Sequence, residues 1–438
     1  MDKKKQRTPL ENNTNKISNL YGCLFRQIRL QQGFSIENVA KAIGISKGTL
    51  WEAEQGKRKF SLAALKKGMH FMGASYQDTT KEAIEDILVL IQRFITACYF
   101  YDIQEQERVY QEFLTYHFNR TRTFDDRYYY LLSLELLIQL QEGEANQHAA
   151  IFLAKKRLDE AFNYFSEDLK ELYYYLQVMW LDYNGQLMAV EFYVKNLFSM
   201  TSQEQFQYLQ PLVGYYALRS SIHNCHLSSI HHYIHLLREF FQRDLNYTRM
   251  IFLDNLEGIY WILLEQYDVA LERFYGILRN VNQFQLSAPC ISVHNSILWC
   301  HLMKEDYEKA IEEGLVIETL FGCNHEDRNL IFTIYAEYRL GHLEQAKTRY
   351  FQMKEALSQA KYRDQALLDA FHALLFENFG AFEQKCREIY KNLFLEDRLQ
   401  GELARFLLKA LLYEYECQNK AKEAYFLRIQ IAKITKKS

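Results

Sequence analysis

The chain has 438 residues, enough for two to four domains and a large buried core. Three prolines, 17 glycines and an aromatic share of 15% exclude disordered, collagenous and turn-rich all-β classes. The net charge of -3 conceals an asymmetry. Residues 1–80 hold 14 Lys/Arg against six acids, a net +8, and the remainder carries -11. A small basic head on a large acidic body is expected where one part meets phosphate. The eight cysteines are scattered singly, without CxxC spacing, and read as reduced core residues. No apolar leader opens the chain, and Ile84 to Phe100 is interrupted by Gln92 and Arg93, so secretion and membrane spanning are not expected.

In chain order, residues 1–18 read as a flexible basic tail (Lys3, Lys4, Lys5, Arg7). Residues 19–78 hold four short helical patterns punctuated by glycine. The first runs through Leu20, Leu24 and Ile28 to Gly33. The second opens at Ser35, turns Val39, Ala40 and Ile43 inward, and stops at Gly44, a residue free to take positive φ. Ser46 caps a third helix, Lys47 to Gln55, with Leu50 and Ala53 inward. Ser61 opens a fourth, with Leu62, Leu65 and Met69. Helix, tight glycine turn, helix is a helix-turn-helix pattern. Residues 79–100 read as a linker helix, opened by Thr79-x-x-Glu82 as a capping box.

Residues 101–438 repeat. Gly258, Tyr267, Ala270 and Phe274 have the offsets of a tetratricopeptide unit. Steps of 40 from Ala270 reach Ala310 ahead, and Ile230, Val190, Ala150 and Tyr110 behind; Ala346, Lys385 and Ala424 follow at 36 to 39. The fold class expected is all-α: a helix-turn-helix bundle followed by a tetratricopeptide-like α-solenoid of up to nine helical pairs, whose first helices line a concave face. If each anchor is the twentieth position of its repeat, that face carries Tyr215, Arg219, Asn255, Asn295, Trp299, Arg328 and Tyr335. Asn255 and Asn295 hold equivalent places one repeat apart. A carboxamide both donates and accepts, so such a pair suits an extended peptide backbone, with Arg219 and Arg328 for a carboxylate. The competing reading is that the aromatic residues are inter-helix core.

The run Arg29-x3-Gly33, Val39-Ala40, Gly44-Ile45-Ser46, Leu50 and Glu54-x-Gly56-Lys57-Arg58 resembles the helix-turn-helix of the phage-repressor and Cro class, the XRE family, over about residues 20–75. The resemblance implies that Arg29 and Glu54 pair, and that Ser46, Lys47, Thr49 and Glu52 face the DNA. Lys47 suits guanine O6/N7 and Glu52 cytosine N4, while Lys57, Arg58 and Lys59 suit phosphates. The head, linker helix and long repeat body together resemble the RNPP family of peptide-pheromone regulators. That resemblance implies a cytoplasmic, dimeric bacterial transcription regulator whose DNA binding responds to a short imported peptide. The alternative is a protein-binding repeat scaffold or phosphatase-like regulator with a vestigial head, favoured by Ile36 at the start of helix 2 and Gly48 inside the third helix. A plain repressor whose repeats only oligomerise is a further rival. His223, His226, His231, His232 and His235 crowd around Cys225, but a polar helix surface is preferred to a metal site. The absence of P-loop, dinucleotide, HExxH and nucleophile-elbow motifs leaves no cofactor and no catalytic role expected.

Overall fold

The computed structural model describes residues 9–116, 123–142, 148–200, 206–284, 290–321, 328–356, 362–394 and 400–437. Lys3, Lys4, Lys5 and Arg7 lie outside them. The chain divides into two compact units, Met1–Tyr216 and Ala217–Ser438.

The first unit opens with α1 (Pro9–Gln31), α2 (Ile36–Ile43), α3 (Lys47–Glu54) and α4 (Leu62–Phe71). Residues 9–18, expected in the tail, are the opening turns of α1. Proline at the first helical position loses no intrahelical bond there, and the polar stretch after it has no apolar periodicity to betray a helix. Ser35, Ser46 and Ser61 each cap the following helix, their hydroxyls accepting from Asn38, Thr49 and Ala64 N–H. Gly44 takes φ 84° at the end of α2 and turns the chain sharply into α3. Leu24, Ile28, Val39, Ala40, Leu50, Ala53, Leu65 and Met69 form the apolar core of this bundle. Gly22 is required by a close approach: a Cβ there would lie 2.1 Å from the Ala53 carbonyl oxygen on α3.

The linker helix α5 (Lys81–Phe100) is capped by Thr80, whose side chain accepts from Ala83 N–H. The cap thus sits one residue beyond the expected Thr79. It packs on α6 (Ile103–Thr115). An element absent from the sequence reading follows: β1 (Ser75–Tyr76) pairs in parallel with β2 (Thr123–Phe124). The head is therefore tied by backbone hydrogen bonds to the first repeats. The unit continues with α7 (Tyr128–Glu142), α8 (His148–Ala161), the 3-10 turn Phe162–Tyr164, α9 (Glu167–Tyr183) and α10 (Val190–Phe198). α11 (Leu209–His223) spans the division between units.

The second unit runs through α12 (Leu227–Arg243), α13 (Tyr247–Leu263), α14 (Tyr267–Phe284), α15 (Cys290–Met303), α16 (Tyr307–Phe321) and α17 (Phe332–Arg339). It ends with α18 (Leu343–Ala356), α19 (Tyr362–Phe376), α20 (Phe379–Phe394), α21 (Gln400–Cys417) and α22 (Ala421–Lys437). From α12 onward each helix packs on the next, as helical repeats do. The repeat is visible in the backbone. Gly185, Cys225, Glu265, Glu305 and Gly341 all have positive φ, at intervals of 40, 40, 40 and 36 residues. Each stands five residues before an anchor, and Val190, Ile230, Ala270, Ala310 and Ala346 are all fully buried. Three outer anchors are off by one: Val109, Ile151 and Cys386 are buried where Tyr110, Ala150 and Lys385 were expected. Cys23, Cys98, Cys300 and Cys386 are buried thiols, but Cys417 is exposed, which corrects its reading as core.

Candidate functional site

In the head, the α1–α3 brace is a buried bidentate ion pair. Arg29 Nε and Nη2 each donate to a Glu54 carboxylate oxygen at 2.7 Å, and Nη1 donates to the Phe34 carbonyl at 3.0 Å. Only 10% of the Arg29 side chain and 2% of the Glu54 side chain are exposed. Each of the three guanidinium nitrogens thus has an acceptor, two of them on the carboxylate, the geometry under which a buried pair is tolerated.

This brace holds one face of α3 in solvent. Ser46 and Thr49 hydroxyls lie 2.9 Å apart at the start of the helix, and both residues are within reach of solvent. The Lys47 ammonium pairs with Glu37 on α2, and it holds that exposed carboxylate below its usual range. Glu52 is exposed, with Arg58 3.7 Å from its carboxylate; Arg58 also donates to the Thr49 hydroxyl at 3.4 Å. Lys57 sits over the Trp51 ring at 4.5 Å, and Lys59 is exposed. Ser46, Lys47, Thr49, Glu52, Lys57, Arg58 and Lys59 thus share one exposed stretch of α3 and its following turn. Trp51, 47% exposed, is a member that sequence reasoning missed. Its signal was available, since helical spacing turns it away from Leu50 and Ala53.

The inner positions of the repeats divide. Tyr215, in the first unit, is half-buried and meets the Tyr216 ring edge-on at 6.4 Å. In the second unit Arg219 is half-buried, and Asn255 and Asn295 are buried. Asn255 Oδ1 and Trp261 Nε1 have no hydrogen-bond partner among the described residues. Arg328 begins the 3-10 turn Arg328–Ile331, and its side chain lies outside the described residues. Trp299 and Tyr335, expected on an open surface, are core instead. The Trp299 ring packs at 5.1 Å from Phe332 and 5.9 Å from Phe406, and Tyr335 at 5.1 Å from Phe406. Phe406 comes from α21, so a later repeat covers these rings. The same helix brings Arg405 Nη1 to 2.7 Å from Glu265 and 3.0 Å from Glu402. One guanidinium shared by two carboxylates does not offset burial, and the Glu402 carboxyl is pushed up to about 7. Arg339 donates to the Tyr335 hydroxyl at 3.0 Å, and its guanidinium lies 3.5 Å from the centre of the Tyr413 ring. Among the described residues no group of His, Cys, Asp or Glu is arranged to hold a metal, and no helix is long and apolar enough to cross a membrane.

Residues 20–82 match the family described as a helix-turn-helix domain. Comparison with curated proteins found no match. The structure is similar to that of a Rap protein complexed with Competence and Sporulation Factor: TM-score 0.63 and 12% identity, over 82% of this chain and 99% of that one. It is also similar to NprR in complex with its cognate peptide NprX, at TM-score 0.56 and 18% identity, over 80% of this chain and all of that one. The chain has the fold of these proteins. A third likeness, to aspartyl phosphate phosphatase F from Bacillus subtilis, has TM-score 0.52 and 13% identity, over 83% of this chain and 96% of that one. The fold class is therefore all-α, a helix-turn-helix head followed by helical repeats.

Proposed function

We propose that the chain is a cytoplasmic, homodimeric transcription regulator of the RNPP type, whose DNA binding is controlled by a short signalling peptide held on the inner face of its repeats. The observation that carries this reading is the head: a capped, braced recognition helix whose basic and hydroxyl side chains are in solvent. The buried Arg29–Glu54 pair and the three serine caps keep that helix folded and its outer face in solvent, which supports a working head over a vestigial one. Duplex DNA is the partner such a helix fits, Lys47 and Glu52 at base edges and Lys57, Arg58 and Lys59 at phosphates. Peptide control is supported by the likeness to NprR, solved with its cognate peptide. It is supported further by the Asn255 carboxamide, a buried acceptor that a peptide N–H would satisfy.

Arg219, Asn255 and Asn295 remain the residues proposed for the peptide, with Tyr215 and Arg328 as further candidates. Trp299 and Tyr335 shape the wall from within the core. The packing of Phe406 on these two rings favours a second reading for that stretch, in which the repeats serve only to build the dimer.

Mass spectrometry of the protein purified from its own host tests the proposal: a short peptide is expected to copurify. Titrated into the protein, that peptide is expected to change its affinity for duplex DNA. Asn255→Ala with Asn295→Ala is expected to cost about 1–2 kcal/mol of peptide affinity. An unchanged affinity in the double variant moves the peptide elsewhere, and the absence of any copurifying or activating peptide removes peptide control.

A further inference from the structure

Within the first unit, a cavity of about 440 Å³ lies where α1 and β1 meet α5, α7 and α9. Its size is that of a site for a small organic molecule. The Tyr21, Tyr76, Tyr130 and Tyr164 rings line it. Their hydroxyls are committed to the protein: Tyr21 and Tyr76 both donate to Asp126 Oδ1, at 3.1 and 2.5 Å, Tyr130 to Asp168 and Tyr164 to the Gln55 carbonyl. What the cavity offers a ligand is therefore ring surface, whose faces carry negative partial charge.

Two of these rings make a corner, Tyr21 and Tyr76 standing 5.7 Å apart at 78°, with the Asp126 carboxylate joining their hydroxyls. Burial first, and the Asp126 charge second, push the Tyr21 hydroxyl up to about 12, so it remains a neutral donor. The two carboxylates in the wall differ. Asp125 is paired with Arg127 at 2.7 Å, whereas Asp126 is partnered by the Tyr21 and Tyr76 hydroxyls and has no basic side chain within ion-pair distance among the described residues. Among the described residues Lys81 is the one basic member of the lining, and it stands exposed at the first turn of α5.

We propose that this cavity binds a small organic monocation with an apolar body, its ammonium group in the Tyr21–Tyr76 corner near Asp126. The half-buried carboxylate supplies the countercharge, the ring faces replace lost hydration, and leucine and isoleucine side chains on the same lining take the apolar body. Because α1 and β1 belong to the helix-turn-helix head and the remaining walls to the linker helix and the first repeats, an occupant holds the head in the docked arrangement. This site shares no residue with the proposed peptide site, so either proposal can fail alone.

The test is calorimetric titration of the full chain with 2-phenylethylamine, protonated at pH 7, with neutral 2-phenylethanol and with zwitterionic L-phenylalanine. Saturable 1:1 binding of the amine is expected, at least tenfold tighter than the alcohol. Asp126→Asn is expected to weaken the amine at least tenfold and leave the alcohol unchanged. Lys81→Met, at an exposed position that does not threaten folding, is expected to tighten the amine several-fold. The proposal is overturned by an absence of saturable amine binding or by equal binding of amine and alcohol. It is also overturned if L-phenylalanine binds more tightly than the amine and loses that advantage in Lys81→Met, an outcome that makes the site one for zwitterions.

Discussion

Arg29 and Lys57 carry the same charge to opposite ends. Arg29 is withdrawn from water and held by Glu54 and the Phe34 carbonyl, so its charge serves the fold; Lys57 rests on the Trp51 ring in solvent, available to a phosphate. Removing one member of the buried pair leaves the other charge without compensation, at a cost of about 3–5 kcal/mol. Arg29→Ala is therefore expected to lose hydrogen-exchange protection throughout α2–α4. Protection equal to wild type would mean that the pair braces nothing. Gly48 is the converse case. A Cβ there would meet nothing nearer than the Ser46 hydroxyl at 3.9 Å, so Gly48→Ala is expected to stabilise α3 by about 1 kcal/mol, read by the same exchange measurement. The three caps were legible because each is a pattern of a few residues, whereas the pair was legible only through the resemblance to the XRE family. The Lys47–Glu37 contact was not, because α3 and α2 must cross before those side chains meet.

At the scale of the helical pair, the 40-residue spacing was legible in small buried residues but its cause was not. The recurrent feature is a left-handed backbone residue ending each first helix. At 225, 265 and 305 that residue is cysteine or glutamate, so no glycine pattern marks it. Leu245, between α12 and α13, takes φ 52° with an exposed side chain. Leu245→Gly relieves that conformation without emptying a core, and a rise of about 1 kcal/mol in unfolding free energy is expected by urea denaturation. A loss would show that the leucine makes contacts worth more than the strain. That Trp299 and Tyr335 are core agrees with the competing reading of the aromatic residues, but what covers them was illegible: Phe406 stands more than seventy residues further on, and a pairwise pattern does not say where a later repeat returns. The same return buries Glu402. Its carboxyl rises from 4.5 to about 7, so the folded chain holds that proton more tightly than the unfolded chain. Stability is then expected to fall as pH rises through that window, and Glu402→Gln to flatten the dependence. An unaltered pH profile in the variant would place Glu402 in a solvated setting.

Across the whole molecule, the largest gap in the sequence reading is the seam between head and repeats. Gln27 donates to the Arg157 carbonyl at 2.8 Å, and Arg157 donates back to Gln31 at 2.7 Å, from positions about 130 residues apart. The β1–β2 pairing adds a backbone link at the same seam. Neither has a local signature, yet both decide how the head is carried. They leave the α3 face in solvent, which is what a DNA reader needs. The central claim is that this face reads duplex DNA, and it is tested most directly by the salt dependence of binding. Duplexes selected from genomic fragments are expected to bind the full chain with an affinity that falls steeply with salt. Replacing Lys57, Arg58 and Lys59 with Ala is expected to lower the slope of log K against log salt by up to about 2.7, for three phosphate contacts. Failure to select any duplex at low salt, or an unchanged slope in the triple variant, would contradict the account.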